Sequence, residues 1–199
     1  MDAIARLITV LLIPIGFINM LGGIISGIWL VILGHWSPIG YGLLFLAFSS
    51  FGLGLAMMLG LIFAAPAAMM EERGNKFGSY FFGFLSVLYT YGVLTVWCLV
   101  VMTYFLKQAD NDSVIPLLIW SYGVATGPIG WMAQKERNEY SMISTFFIQA
   151  AYLISIVAIL LVGVSMTDLM AIFGAVTLVG LVLQFTLVHM TQKASGYYD

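Results

Sequence analysis

Hydrophobic positions in this chain come in long unbroken runs, not in the alternation of a half-buried strand or the single stripe of a surface helix. Five polar breaks interrupt them: Gly34-His35-Trp36-Ser37, Glu71 to Lys76, Lys107 to Ser113, Gln134 to Tyr140, and Val164 to Asp168. The six runs are 4–33, 38–70, 77–106, 114–133, 141–163 and 169–189. Each meets the roughly 20 apolar residues that a helix needs to cross a hydrocarbon layer of about 30 Å. Continuously apolar runs of this length favour helices over a closed barrel, whose strands alternate and are shorter. The pattern predicts an all-α, polytopic membrane helix bundle: one transmembrane domain, 1–199, of six helices.

Composition points the same way. Hydrophobic residues make up 62% of the chain and charged residues 8%, with a mean hydropathy of +1.05. A soluble domain carries roughly 25% charged residues, because its surface must face water. The net charge of −2 gives no argument for a nucleic-acid partner. One cysteine, Cys98, excludes an internal disulfide. A single early Arg6 and the lack of a small-residue cleavage site imply that the first apolar run stays in the mature protein.

Ser37-Pro38, Asp112-Ser113 and Thr167-Asp168 each offer a capping acceptor at a helix start. The first three runs reach about 30 residues, or about 45 Å. Helices of that length can tilt, break or project beyond the bilayer. Pro14 could divide the first into an interfacial piece (Asp2 to Leu12) and a span (Pro14 to Gly34). If all three project, their apolar ends need cover from a partner. Orientation follows the basic residues. Arg6, Arg73, Lys76, Lys135, Arg137 and Lys193 fall on the side of both termini and only Lys107 opposite, which predicts cytoplasmic termini. Trp29, Trp36, Tyr41, Tyr104 and Trp120 then form an outer aromatic belt, and Tyr80, Trp131 and Tyr140 an inner one.

No ionisable residue lies in the middle of any run. Charges inside a membrane mark proton relays, ion pathways and catalytic centres, and this chain lacks them. Ser49, Ser50 and Cys98 have no in-membrane base to activate them. His35 and His189 sit at opposite faces and cannot share a metal or a haem. The expectation is a protein without catalytic residues, metal or cofactor.

Small residues carry the clearest motif. Gly52, Ala56, Gly60, Ala64 and Ala68 recur every four positions on the second helix, and Gly23 and Gly27 continue from Asn19 on the first. Such faces let helices approach closely in lipid, either within the bundle or against another subunit. A second set converges in the inner half of the membrane: Asn19, Gln149, Gln184 and the Gly127-Pro128 step, where a helix break is expected. Thr145, Gln149 and Tyr152 share one face, and Thr177, Gly180 and Gln184 another. These polar groups read either as interhelical glue, Gln149 bonding Gln184, or as a polar cavity. Pro-Ile-Gly followed by an aromatic occurs at Pro14, Pro38 and Pro128. The third helix is rich in aromatics from Tyr80 to Trp97, a surface suited to a lipid, quinone or pigment.

In size, helix number and a small-residue second helix, the chain resembles in architecture the substrate-binding components of energy-coupling-factor vitamin transporters. Its short first outer loop departs from the substrate lid of those proteins. The leading expectation is a non-catalytic membrane subunit, in the bilayer of a bacterial inner membrane, that self-associates or joins other membrane subunits through its small-residue faces. A facilitative channel or solute carrier is the second expectation. A lipid-, quinone- or pigment-binding protein is the third.

Overall fold

The computed structural model describes residues 2–136 and 139–194; the side chains of 2–9, 13, 50, 57, 132–136, 139–141 and 187–194 lie outside the description. Arg137 and the side chains of Arg6, Lys135, Tyr140, His189 and Lys193 are therefore outside it too. The six helices are α1 (Asp2–Ile32), α2 (Trp36–Glu72), α3 (Lys76–Leu106), α4 (Val114–Glu136), α5 (Glu139–Val162) and α6 (Met166–Ala194). All six are long and apolar enough to cross a membrane, so the protein is a multi-pass membrane helix bundle.

Glycine sets three of the turns. Gly34, Gly74 and Gly163 have φ of +80°, +70° and +69°, a region that residues with a Cβ avoid. At Gly34 the amide donates to the Val31 carbonyl and the next amide, His35, to Leu30. Gly74 and Asn75 repeat this on Glu71 and Met70. Both are Schellman endings, which satisfy carbonyls that a helix terminus otherwise strands. Gly163 closes α5 with one bond to Ile159.

Two expected starts shift for local reasons. Helix α2 begins at Trp36, with His35 in the cap position and no side chain capping it. The left-handed turn at Gly34 feeds the chain straight into the helix, so Ser37-Pro38 falls inside the first turn. Helix α6 begins at Met166, and its cap is Ser165 rather than Thr167. The Ser165 amide donates to the Asp168 carboxylate (2.9 Å), and the Asp168 amide to Ser165 Oγ (3.3 Å). That reciprocal pair is a capping box.

Neither Pro14 nor Pro128 breaks its helix. Helix α1 runs unbroken through Pro14, and α4 through Pro128. A proline withholds one amide and pushes nearby carbonyls outward. Beside Pro128, the Ala125 carbonyl is met by Trp97 Nε1 of α3 at 3.1 Å. The carbonyl that Pro128 leaves without its helical donor is that of Val124, four residues back; the Trp97 bond lies one residue on and ties α3 to α4 beside the proline step.

Helix α4 stands in the middle. It touches α1, α2, α3 and α5, while α1, α2, α3, α6 and α5 each touch the next around it. Half of its apolar window (50%) is buried inside the protein, against 12% for α2. The core follows from this: Leu117, Leu118, Val124 and Ala125 of α4 pack with Cys98, Val101, Met102 and Phe105 of α3 and Ile148 and Tyr152 of α5. The aromatics of α3 do not form one surface. Tyr80 and Phe84 meet Phe185 of α6, Tyr89 meets Phe63 of α2, and Trp97 meets Phe45 of α2.

At the end of the bundle opposite the termini, Asp110 ties the α3–α4 turn together. Its carboxylate accepts from the Ser113 hydroxyl and amide, with His35 Nε2 3.6 Å away. The Ser113 hydroxyl is the main reason the Asp110 carboxyl sits below its ordinary range; partial desolvation opposes it, and the Ser113 amide and His35 add to it. A depressed folded-state value gives a contribution present above the ordinary carboxylate range and lost as pH falls through the depressed one. The protection of the Ser113 amide, its intrinsic exchange rate at each pH over the observed one, is expected to fall on acidification in the native chain and to stay flat with pH in Asp110→Asn. Equal acid dependence in both would remove this clamp from the account.

Candidate functional site

The site grows from the packing of α1 on α4. Gly123 allows the two backbones to close: a Cβ there would stand 3.6 Å from Gly23 Cα. One turn away, Asn19 Nδ2 donates to Thr126 Oγ1 at 2.6 Å. One turn the other way, Gly27 holds the edge of the Trp120 ring, where a Cβ would lie 3.2 Å from the indole. The Asn19, Gly23 and Gly27 face therefore lies against α4 of the same chain.

Trp120, expected near the outer interface, is half-buried between α1 and α2, with its indole against Gly27 and Gly42. Its Nε1 donates to the Pro38 carbonyl at 3.1 Å. Position 120 is close to the end of α4, where depth alone suggests a belt; the glycines on two neighbours turn the ring inward.

Beyond Trp120, α1 and α4 part around a cleft of about 620 Å³. Its glycines are Gly16 and Gly23 from α1 with Gly123, Gly127 and Gly130 from α4. Asn19, Thr126 and Gln149 are its polar lining, and Trp120 and Trp131 its indoles. Phe17, Met20, Ile24 and Trp131 are exposed, so the cleft opens sideways toward the surrounding bilayer. Added Cβ atoms at Gly16, Gly23 or Gly127 would meet nothing within 4 Å. Gly16 and Gly127 leave open space, while Gly23 leaves its Cβ side open and meets Gly123 through its Cα.

Three of the expected polar-cavity residues, Asn19, Gln149 and Gly127, share this cleft. Pro128 lines a smaller recess next to it with Leu46, Gly127 and Trp131. Gln184 is elsewhere. Phe147 packs on Gly180, so Gln149 stands opposite Leu178, about 9 Å along the axis from Gln184. A hydrogen bond between the two side-chain amides would need one carbonyl oxygen to accept from the other's NH2, and both oxygens are unpartnered. The Gln149–Gln184 glue is therefore not formed. Both expected polar faces do turn inward, with Thr145, Gln149, Tyr152, Thr177 and Gln184 all buried.

The α2 stripe divides along its length. Gly60 is buried, and a Cβ there would meet the Tyr89 ring at 3.4 Å; Tyr89 also donates to the Ala56 carbonyl. Ala64 is half-buried and Ala68 exposed. Gly52 is open and lines an apolar groove of about 510 Å³ between α2 and α3.

Sequence reasoning missed Thr126, Gly16 and Phe17 as site residues. The Pro-Ile-Gly-aromatic copies were the available signal. Those at Pro14 and Pro128 contribute Gly16, Phe17, Gly130 and Trp131 to one cleft. The Gly23–Gly123 register sets Gly16 across from Gly130, so these two copies share a depth.

Among the described residues, no three of His, Cys, Asp and Glu stand together in a way that could hold a metal ion. No protein-family model, curated protein or solved structure matches the chain. The likeness to vitamin-transporter components thus rests on helix number and general layout.

Proposed function

We propose that this protein binds a lipophilic small molecule, taken from the bilayer into the cleft between α1 and α4. The observation that carries the reading is the cleft itself, a glycine-lined recess with mostly apolar walls and the Asn19, Thr126 and Gln149 side chains among its lining. Its volume falls within the roughly 300–1,000 Å³ of small-molecule sites, which pair apolar walls with a few placed polar groups. A lateral opening suits a ligand that arrives through lipid. Binding is favoured over permeation because α4 fills the axis of the bundle, where a channel would need a path. No catalytic step is assigned. The open groove beside Gly52 is what remains in support of the membrane-subunit reading. The excess of basic residues at the end that carries the termini supports placing that end in the cytoplasm.

Filling the cleft tests the proposal. Gly127 stands inside α4 with open space beside it, so Gly127→Leu adds bulk without a backbone clash. It also exchanges glycine for a good helix former, worth up to about 1 kcal/mol in a helix interior. The variant is expected to melt no lower than the native protein. Mass spectrometry of both, purified in mild detergent, is expected to find an organic molecule that the native protein retains and Gly127→Leu lacks. The same complement in both proteins would refute binding at this cleft.

A further inference from the structure

Of the three polar side chains that line the cleft, two are already engaged. The Asn19 NH2 donates to Thr126 Oγ1, and the Thr126 hydroxyl gives its one proton to the Tyr122 carbonyl at 2.7 Å. Asn19 Oδ1 is shut inside the protein. Gln149 remains. Its side chain is 4% exposed, and its Oε1 is shut in as well. The other end of the same amide differs: Nε2 has no hydrogen-bond partner and stays open beside the cleft, 3.6 Å from the Cβ position of Gly130. Any side chain at position 130 would cover it; glycine leaves it bare.

An amide NH2 that faces lipid without a partner carries the cost of its lost hydration, so the cleft gains from a molecule that brings an acceptor. No ionisable side chain lines the cleft, so an anionic acceptor would find no counter-ion; a neutral one suits it. Depth narrows the class further. Gln149 lies about two turns into the Met142–Val162 span, or about 10 Å from its end. The ester carbonyls of bilayer lipids stay at the edge of the hydrocarbon layer, short of that depth. We infer that the cleft binds a free lipophile with a neutral oxygen acceptor, a long-chain ketone or a quinone, and that Gln149 Nε2 donates to that oxygen. This rests on the cleft-binding reading above.

Trp120 and Trp131 line the cleft, so a bromine carried into it quenches their fluorescence. The probes are a bromine-tipped tridecanone and the matching bromine-tipped tridecane, titrated into nanodiscs of ether-linked lipid, which has no carbonyl of its own. Each probe partitions into that lipid equally for every variant, so a change in the ketone-to-alkane affinity ratio reads the protein contact alone. The ratio is expected to be about fivefold higher in the native chain than in Gln149→Leu, the equivalent of one net hydrogen bond. The infrared carbonyl band of the bound ketone is expected at lower frequency in the native chain and unshifted in Gln149→Leu. If Gln149→Leu fails to fold, that band decides: a shift that Gly127→Leu abolishes supports the assignment. Equal ratios, or an unshifted band in the native chain, would overturn the bond to Gln149 and leave the cleft as a site. Ketone affinity is expected to be the same in ester-linked lipid; its loss there would give the cleft to a bilayer lipid and overturn the free lipophile. Quenching that is unsaturable for both probes and unchanged by Gly127→Leu would overturn the two readings together.

Discussion

Tyr152→Ala is expected to lower the stability of the folded bundle by about 2–3 kcal/mol, while Tyr152→Phe costs well under half of that. Tyr152 is the largest fully buried side chain in the structure. Its ring lies 5.6 Å from that of Tyr122 and 6.0 Å from that of Phe173, and its hydroxyl donates to Ser121 Oγ at 2.9 Å. In lipid the unfolded helices are already out of water, so burying this ring gains little from solvent transfer. What Ala removes is contact. A cavity term of about 24 cal/mol per Å³ over roughly 100 Å³ of vacated volume gives about 2.4 kcal/mol. The hydroxyl alone is worth about 0.6 kcal/mol, the mean for hydrogen bonds between membrane helices. Reversible unfolding in mixed micelles of mild and denaturing detergent would read both. An Ala variant no less stable than the Phe variant would mean that the centre of the bundle is not packed around this ring.

The second large effect belongs to the slot that holds Trp120. A Cβ on Gly42 would overlap the indole, with Cε2 and Cζ2 only 2.7 and 2.8 Å away. Neither helix backbone can yield easily, because the same ring is held by Gly27 on α1 and tied by Nε1 to the Pro38 carbonyl. Gly42→Leu is therefore expected to cost about 3 kcal/mol, at the upper end of what overpacking a close-fitted site costs. The better helix propensity of leucine returns about 1 kcal/mol at most. In a background of Trp120→Ala the clash has no partner, and the same leucine is expected to be at least about 1 kcal/mol less harmful, a coupling expected only for residues in contact. Strictly additive losses in this double-mutant cycle would show that Gly42 and Trp120 act independently.

Much of the fold was legible because bilayer thickness constrains length, and length is visible in a sequence. The six runs match the six helices to within a few residues at most ends, and Gly34 marked a turn that only a left-handed residue makes comfortably. Direction around each helix was far less legible. A helix that is apolar on every side has no preferred face in its own composition, so nothing near Trp120 said that it turns inward. Faces could be read only where polar residues marked them, as at Thr145-Gln149-Tyr152 and Thr177-Gly180-Gln184, all of which are buried. Relative depth failed for a related reason. Expecting Gln149 to bond Gln184 ignored the register that Phe147 and Gly180 impose, which separates the two along the axis. The prolines misled because each removes only one amide from a helix of 23 or 31 residues, which the rest of the helix and its packing can carry. The cleft itself was half visible: Asn19, Gln149 and Gly127 were singled out, but Thr126, which orients Asn19, sat unmarked among small residues.

The central place of α4 has a consequence for how the protein is made. Helix α1 touches α2, α4 and α5 but not α3, and its most extensive packing is on a helix synthesised on the order of 80 residues later. At translation rates of about 5–20 residues per second, that is a wait of roughly 4–16 seconds. Throughout it the amide of Asn19 faces hydrocarbon with no Thr126 to receive it. Nascent chains halted before α4 leaves the ribosome should therefore hold α1 in a polar-tolerant setting, against the insertion machinery or another protein, and release it only once its hub arrives.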